Sequence, residues 1–137
     1  MREHTTHRRV EWADTDTAGI VHFARFLVFM ETAEHRFREA LGFPVGQDST
    51  NGASLGWPRV SASCAYRRPA RFGDELEIVT RVVEQGTTSL AFGFTVTRDG
   101  ALVAEGRMTS VCCVLEPRLQ PVPIPERIAA AIEVAAE

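Results

Sequence analysis

The strongest constraint in this chain is a change of hydrophobic period. Phe23, Phe26, Leu27, Met30, Ala33, Phe37 and Leu41 recur at steps of three and four residues, which is the spacing of one apolar stripe on an amphipathic helix. Gly42 and Pro44 follow as stop signals. The reading is a single long helix over 20–41, buried along one side. After Pro58 the period falls to two. Leu76, Ile78, Thr80 and Val82 alternate against Glu77, Val79, Arg81 and Val83. Leu90, Phe92, Phe94 and Val96 alternate against Ala91, Gly93, Thr95 and Thr97. Asp99-Gly100 marks a hairpin before a long strand at 101–116. A first strand is expected at 7–12, another at 59–68, a loop or irregular helix at 43–58, and a short helix at 125–136 opened by Pro125. The order is strand, one long helix, then about four antiparallel strands, an α+β arrangement in one domain spanning 1–137. Strands 78–83 and 111–115 are apolar on both faces, which points to a second subunit or element over the far side of the sheet.

Composition narrows the function classes. Apolar residues make up 45% of the chain, enough for a real core. A net charge of −3 lacks the basic footprint of a nucleic-acid groove. The charged start, MREHTTHRRVEW, has no apolar region of a signal peptide, and no apolar run nears the ~18 residues of a membrane span. The expectation is a soluble cytoplasmic protein with no nucleic-acid or membrane partner. Cys64, Cys112 and Cys113 form no CxxC pair and read as reduced packing residues. His4, His7, His22 and His35 fit no metal-binding spacing, so no metal is expected.

Chemistry concentrates in DTDTAGIVHF, residues 14–23, just ahead of the helix. Two acids two residues apart are either helix-start residues or a catalytic carboxylate with its support. The unpaired N–H groups of a first helical turn carry partial positive charge and can polarise a carbonyl. Gly19 permits a close backbone or ligand approach. Such a stretch can hold both halves of an acyl-transfer site.

The same residues carry a resemblance. DTDTAGIVHFARFLVFMETAEHRFREALG resembles the signature of the 4-hydroxybenzoyl-CoA thioesterase family of hotdog-fold proteins, in which a D-x-D-x-x-G-[IV]-V segment precedes the long helix. YRRPARFGDELEIVTRV resembles the family's central strands, and GTTSLAF and SVCCVLEPRLQPVPIP its last strands and tail. The resemblance covers roughly residues 8–127, and Tol–Pal-associated acyl-CoA thioesterases and dihydroxynaphthoyl-CoA thioesterases share the signature.

What it implies is a hotdog fold, an antiparallel sheet wrapped around the helix, and hydrolysis of an acyl-CoA with no cofactor beyond the CoA of the substrate. Asp16 matches the family's catalytic carboxylate, nucleophile or general base. The Phe23 backbone N–H matches its oxyanion donor, Gly19 its turn glycine, and Asp14 a first acid whose role here is to fix the loop. His22 stands where many relatives carry Tyr or Trp, and orients substrate if it points inward. Family sites form between two subunits joined edge to edge, so a homo-oligomer, a dimer or dimer of dimers, is expected. Where some relatives carry Arg and Lys before the fourth strand, this chain has Gly86-Thr87-Thr88-Ser89. Thr88, Ser89 and the tail residue Arg118 are therefore the candidate CoA contacts, with Arg67 or Arg68 as substitutes. Trp57 joins Phe23, Phe26 and Phe29 as candidate acyl-pocket residues. Glu34, close to the apolar stripe, needs a partner such as Arg59, Arg67 or a residue across a subunit interface. A hotdog dehydratase needs a His–acid pair, for which only His22 with Asp16 is available. A non-catalytic acyl-CoA-binding protein has no use for a carboxylate aimed at the thioester.

Overall fold

In the computed structural model, which describes residues 1–46 and 49–135, the long helix α1 spans Arg25–Leu41. It buries Phe26, Phe29, Met30, Ala33 and Phe37 on one stripe, and Gly42 closes it in the left-handed region at φ 93°. A left-handed closing residue is far easier for glycine than for any residue with a Cβ. The helix starts five residues later than its apolar pattern, because residues 20–24 are spent on a turn. The Val21 N–H donates to the Ala70 carbonyl and the His22 N–H to that of Asp14. Phe23, counted on the stripe, is 65% exposed instead.

The main sheet has five antiparallel strands in the order β1-β5-β6-β7-β4. These are β1 (Glu3–Arg9), β4 (Arg59–Tyr66), β5 (Glu75–Gln85), β6 (Ser89–Arg98) and β7 (Ala101–Val111). The first strand runs earlier than the expected 7–12. Trp12–Asp14 is a single 3-10 turn, set by the Glu11 N–H on the Asp14 carboxylate. Cross-strand rows Ile78–Val96–Ala104 and Val82–Phe92–Met108 carry buried side chains toward α1. Phe29, Phe37, Phe92 and Phe94 are fully buried there, each burial stabilising the fold by about 1.5–3 kcal/mol. Met30 rests over Gly106, where β7 has no side chain to hold the helix off.

A second, smaller sheet of order β2-β3-β8-β9 is made from β2 (Ser49–Thr50), β3 (Ala53–Gly56), β8 (Cys113–Val114) and β9 (Gln120–Pro121). Part of the expected 43–58 loop is therefore strand, paired through Leu55–Val114 and Gly56–Cys113. The closing helix α2 is shorter than 125–136. It spans Glu126–Ala131, with Pro125 as its cap and Ile132 already extended, and residues 136–137 lie outside the described chain. Cys112 and Cys113 are buried and Cys64 is partly buried.

Candidate active site

Asp14 and Asp16, two residues apart, have opposite surroundings. The Asp14 carboxylate is 0% exposed. It accepts from Arg8 Nη2 at 2.9 Å, from Arg25 Nε and Nη2 at 2.9 and 2.7 Å, and from the Glu11 N–H at 2.8 Å. Burial alone pushes its pKa up. The Glu11 N–H and the two guanidiniums outweigh that and hold it below the ordinary value. Asp14 is the loop anchor its local bonding suggests.

Asp16 is half-buried and has no ion-pair partner among the described residues. One of its oxygens, Oδ1, accepts the Ala18 N–H at 2.8 Å, and its main chain closes the turn through Asp16 N–H to Ile20 C=O and Gly19 N–H to Asp16 C=O. Gly19 has φ 78°, the conformation that this turn demands. The other carboxylate oxygen, Oδ2, has no hydrogen-bond partner among the described residues.

Asp16 opens into a cleft of about 330 Å³ shared with Phe23, Phe26, Tyr66, Arg68 and Ala70, among others. The Phe23 N–H, at the cleft's edge, has no hydrogen-bond partner among the described residues. The neighbouring donors are occupied: the Ala24 N–H by His22 Nδ1 at 3.1 Å, and the Arg25 N–H by the His22 carbonyl at 2.9 Å. An accepting Nδ1 puts the proton of the neutral ring on Nε2. His22 is thus held in the turn ahead of α1, with its ring stacked on Phe23 at 4.5 Å. It does not line the cleft with Asp16.

Across the cleft the Tyr66 hydroxyl donates to the Phe23 carbonyl at 2.8 Å, and its ring meets Phe26 edge-on at 5.6 Å. Burial, with Cys64 alongside, raises the pKa of Tyr66, so the phenol stays a neutral donor. Of the wall Tyr66–Ala70, the sequence offers Arg67 and Arg68 as substitute CoA contacts, while Tyr66, Pro69 and Ala70 read there only as the end of a strand and a Pro-Ala turn. The only local signal is an aromatic residue placed just before that turn.

The remaining candidates lie apart from this cleft within one chain. Thr88 and Ser89 sit at the β5–β6 hairpin, their carbonyls accepting the Cys112 and Gly86 N–H groups. That is the end of the sheet where Ser89 pairs with Val111, whereas Tyr66 pairs with Ala104 at the other end. Arg118 is exposed between β8 and β9. Trp57 lies under the Arg38 guanidinium, 4.8 Å from its ring centre, in a second cavity of about 410 Å³ with Glu31, Glu34 and Arg59. There Glu34, fully buried, finds Arg59 as its partner, and Arg59 also donates to Ser110 Oγ at 2.8 Å. Burial still keeps the pKa of Glu34 raised against the attraction of Arg59.

Comparison with known proteins gives the same architecture. A 1,4-dihydroxy-2-naphthoyl-CoA hydrolase of Thermosynechococcus vestitus is 30% identical over 95% of this chain and 88% of its own. A hypothetical protein from Thermus thermophilus of known structure is 34% identical, with a TM-score of 0.85 over 93% of this chain and 95% of its own. A gentisyl-coenzyme A thioesterase structure is 29% identical, with a TM-score of 0.84 over 95% of this chain and 100% of its own. The family model of the thioesterase-like superfamily matches residues 10–132. With one long helix held against an antiparallel sheet and the acid-bearing turn ahead of that helix, the chain belongs to the thioesterase-like superfamily and has its hotdog fold.

Proposed function

We propose that this chain is an acyl-CoA thioesterase that hydrolyses aromatic acyl-CoA thioesters to the free acid and CoA. The observation that carries the proposal is the meeting in one cleft of the Asp16 carboxylate and the Phe23 N–H, neither of which has a cation or acceptor partner, respectively, among the described residues. The thioester carbonyl oxygen accepts from Phe23 N–H, and this donor strengthens its hold as negative charge develops on the oxygen. Asp16 either attacks the carbonyl carbon or takes a proton from the attacking water. The tetrahedral intermediate then expels CoA as its thiolate; with water as attacker this gives the free acid directly, and with Asp16 as attacker it leaves an acyl–Asp16 anhydride that water hydrolyses to the acid. The dipole and the carboxylate supply this chemistry, and the CoA is part of the substrate. Phe23, Phe26 and Tyr66 give the cleft an aromatic wall that suits a flat acyl group. Relatives named for dihydroxynaphthoyl-CoA and gentisyl-CoA act on such groups.

The working form in this proposal is a cytoplasmic homo-oligomer. Among the described residues strand β4 is an edge strand, paired with β7 alone, and its Val60 is 63% exposed. Antiparallel pairing of β4 with a second copy sets the Arg59 end of one strand beside the Tyr66 end of the other. That brings Trp57, Thr88 and Ser89 of the second copy toward the Asp16 cleft, where they contact the substrate with Arg118.

The test is CoA release from a panel of aromatic and aliphatic acyl-CoAs. Preference for the aromatic members by at least tenfold in kcat/KM is expected. Equal or better turnover of straight-chain members overturns the substrate class, and tight binding without release from any member supports a non-catalytic acyl-CoA-binding protein instead.

A further inference from the structure

Asp14 receives more cationic support than neutralising one carboxylate requires. Arg8 reaches it from β1, shares its charge with Glu11 at 3.2 Å and lies 4.7 Å over the Phe29 ring, so it ties the loop to the sheet. Arg25 reaches the same carboxylate from the other side, as the first residue of α1, through two bonds to Oδ1 at 2.9 and 2.7 Å. Arg25 and Asp14 are eleven positions apart. Their bond therefore closes a loop that carries Asp16 two residues inside one end and Phe23 two residues inside the other. The His22 N–H adds a parallel strut to the Asp14 carbonyl at 2.9 Å.

We infer that Arg25 is a positioning residue, whose two-bond grip on Asp14 sets the separation between the Asp16 carboxylate and the Phe23 N–H. The inference rests on the thioesterase reading of that cleft. Neither Asp16 nor Phe23 touches Arg25 through a hydrogen bond, so its effect passes entirely through the closed loop. Arg8 remains on Asp14 when Arg25 is replaced, so the buried carboxylate keeps a counter-charge and the chain keeps its fold. What is lost is the geometry, and a displacement of about 1 Å at a reacting centre can cost up to 100-fold in rate. Lysine restores the charge with a single ammonium and not the two-pronged fork.

The experiment compares Arg25→Ala and Arg25→Lys with the wild type and with Arg36→Ala, a control that removes another α1 arginine paired to a carboxylate, Glu39, at 3.3 Å. Steady-state kinetics on an aromatic acyl-CoA are expected to show kcat lower by tenfold or more in Arg25→Ala, KM changed by less than about threefold, partial recovery in Arg25→Lys and no change in Arg36→Ala. Amide hydrogen exchange is the second readout. The Asp16, Gly19 and His22 amides, bonded inside the loop, should exchange faster in Arg25→Ala while the β5 and β6 amides stay as protected as before. A kcat within twofold of wild type, or unchanged exchange at those three amides, overturns the inference. Should the wild type itself release no CoA, the thioesterase reading fails, and the exchange data alone decide whether Arg25 holds the loop closed.

Discussion

Replacing Gly106 with alanine tests how closely α1 rests on the sheet. Gly106 lies on β7 between Cys64 and Phe94, directly beneath Met30. An added Cβ would sit 2.5 Å from Met30 Sδ, 2.7 Å from its Cε and 2.9 Å from the Ser63 carbonyl oxygen. The methionine can turn aside because its side chain is flexible. The Ser63 oxygen belongs to β4 and is held in the ladder, so β4 or β7 has to shift. Overpacking of this kind costs about 1–3 kcal/mol, against a gain of about 0.4–1 kcal/mol from the restricted unfolded chain. The net expectation is a loss of about 1–2 kcal/mol, read as a lower urea midpoint with an unchanged slope. Met30→Ala alone should cost about 2–5 kcal/mol through the cavity it leaves. The double variant should cost less than the sum by about 1 kcal/mol, because the new methyl fills part of that cavity. A Gly106→Ala protein as stable as wild type, or strictly additive losses, would refute this picture of the helix seat.

Three further outcomes follow from the charged groups and the sheet edge. Asp14 has a lowered pKa in the fold, so the stability it contributes is complete well above its ordinary value of 3.8 and disappears as pH falls through the folded value. Asp14→Asn should therefore be less stable than wild type by about 3 kcal/mol at pH 7, and the gap should close toward pH 3; a gap independent of pH contradicts the assignment. Glu34 has the opposite sign. Its pKa is raised above 4.5, so its contribution is complete below pH 4.5 and declines as pH rises through the folded value. Glu34→Gln should then gain on the wild type between pH 4 and pH 7 in urea unfolding, and a relative loss over that range would count against a raised pKa. Light scattering at micromolar concentration should give at least a dimer; a monomer would contradict edge pairing through β4.

The legible parts of the sequence are those that depend on near neighbours. The stripe from Phe26 to Phe37 and the alternation in β5 are local periodicities that the structure buries as the spacing predicts, whereas in β6 the opposite-face residues Ala91 and Gly93 are buried too. The start of α1 was not legible, because residues 20–24 are held out of the helix by bonds to Asp14 and Ala70, the second far along the chain. The expected structural Asp14 is clamped by two arginines, and Asp16 faces a cleft. Glu34 meets Arg59, one of the three partners expected. His22 turns out to accept the Ala24 N–H within the turn before α1, a geometry that its side-chain type does not reveal. Tyr66 was invisible as a site residue because its role arises from the approach of β4 to the helix start. Trp57, Thr88 and Ser89 lie away from Asp16 within one chain, so any part they play in its site depends on a second copy.

The central claim is that Asp16 performs the chemistry in an otherwise intact site. The most direct measurement is kcat for Asp16→Asn on the best aromatic acyl-CoA, with the affinity for that ligand measured on the same protein. Asparagine can still accept the Ala18 N–H, so the turn survives the change. The account predicts a loss of kcat of at least about 100-fold with affinity within a few-fold of wild type. A variant that turns over within a few-fold of wild type would remove Asp16 from the mechanism.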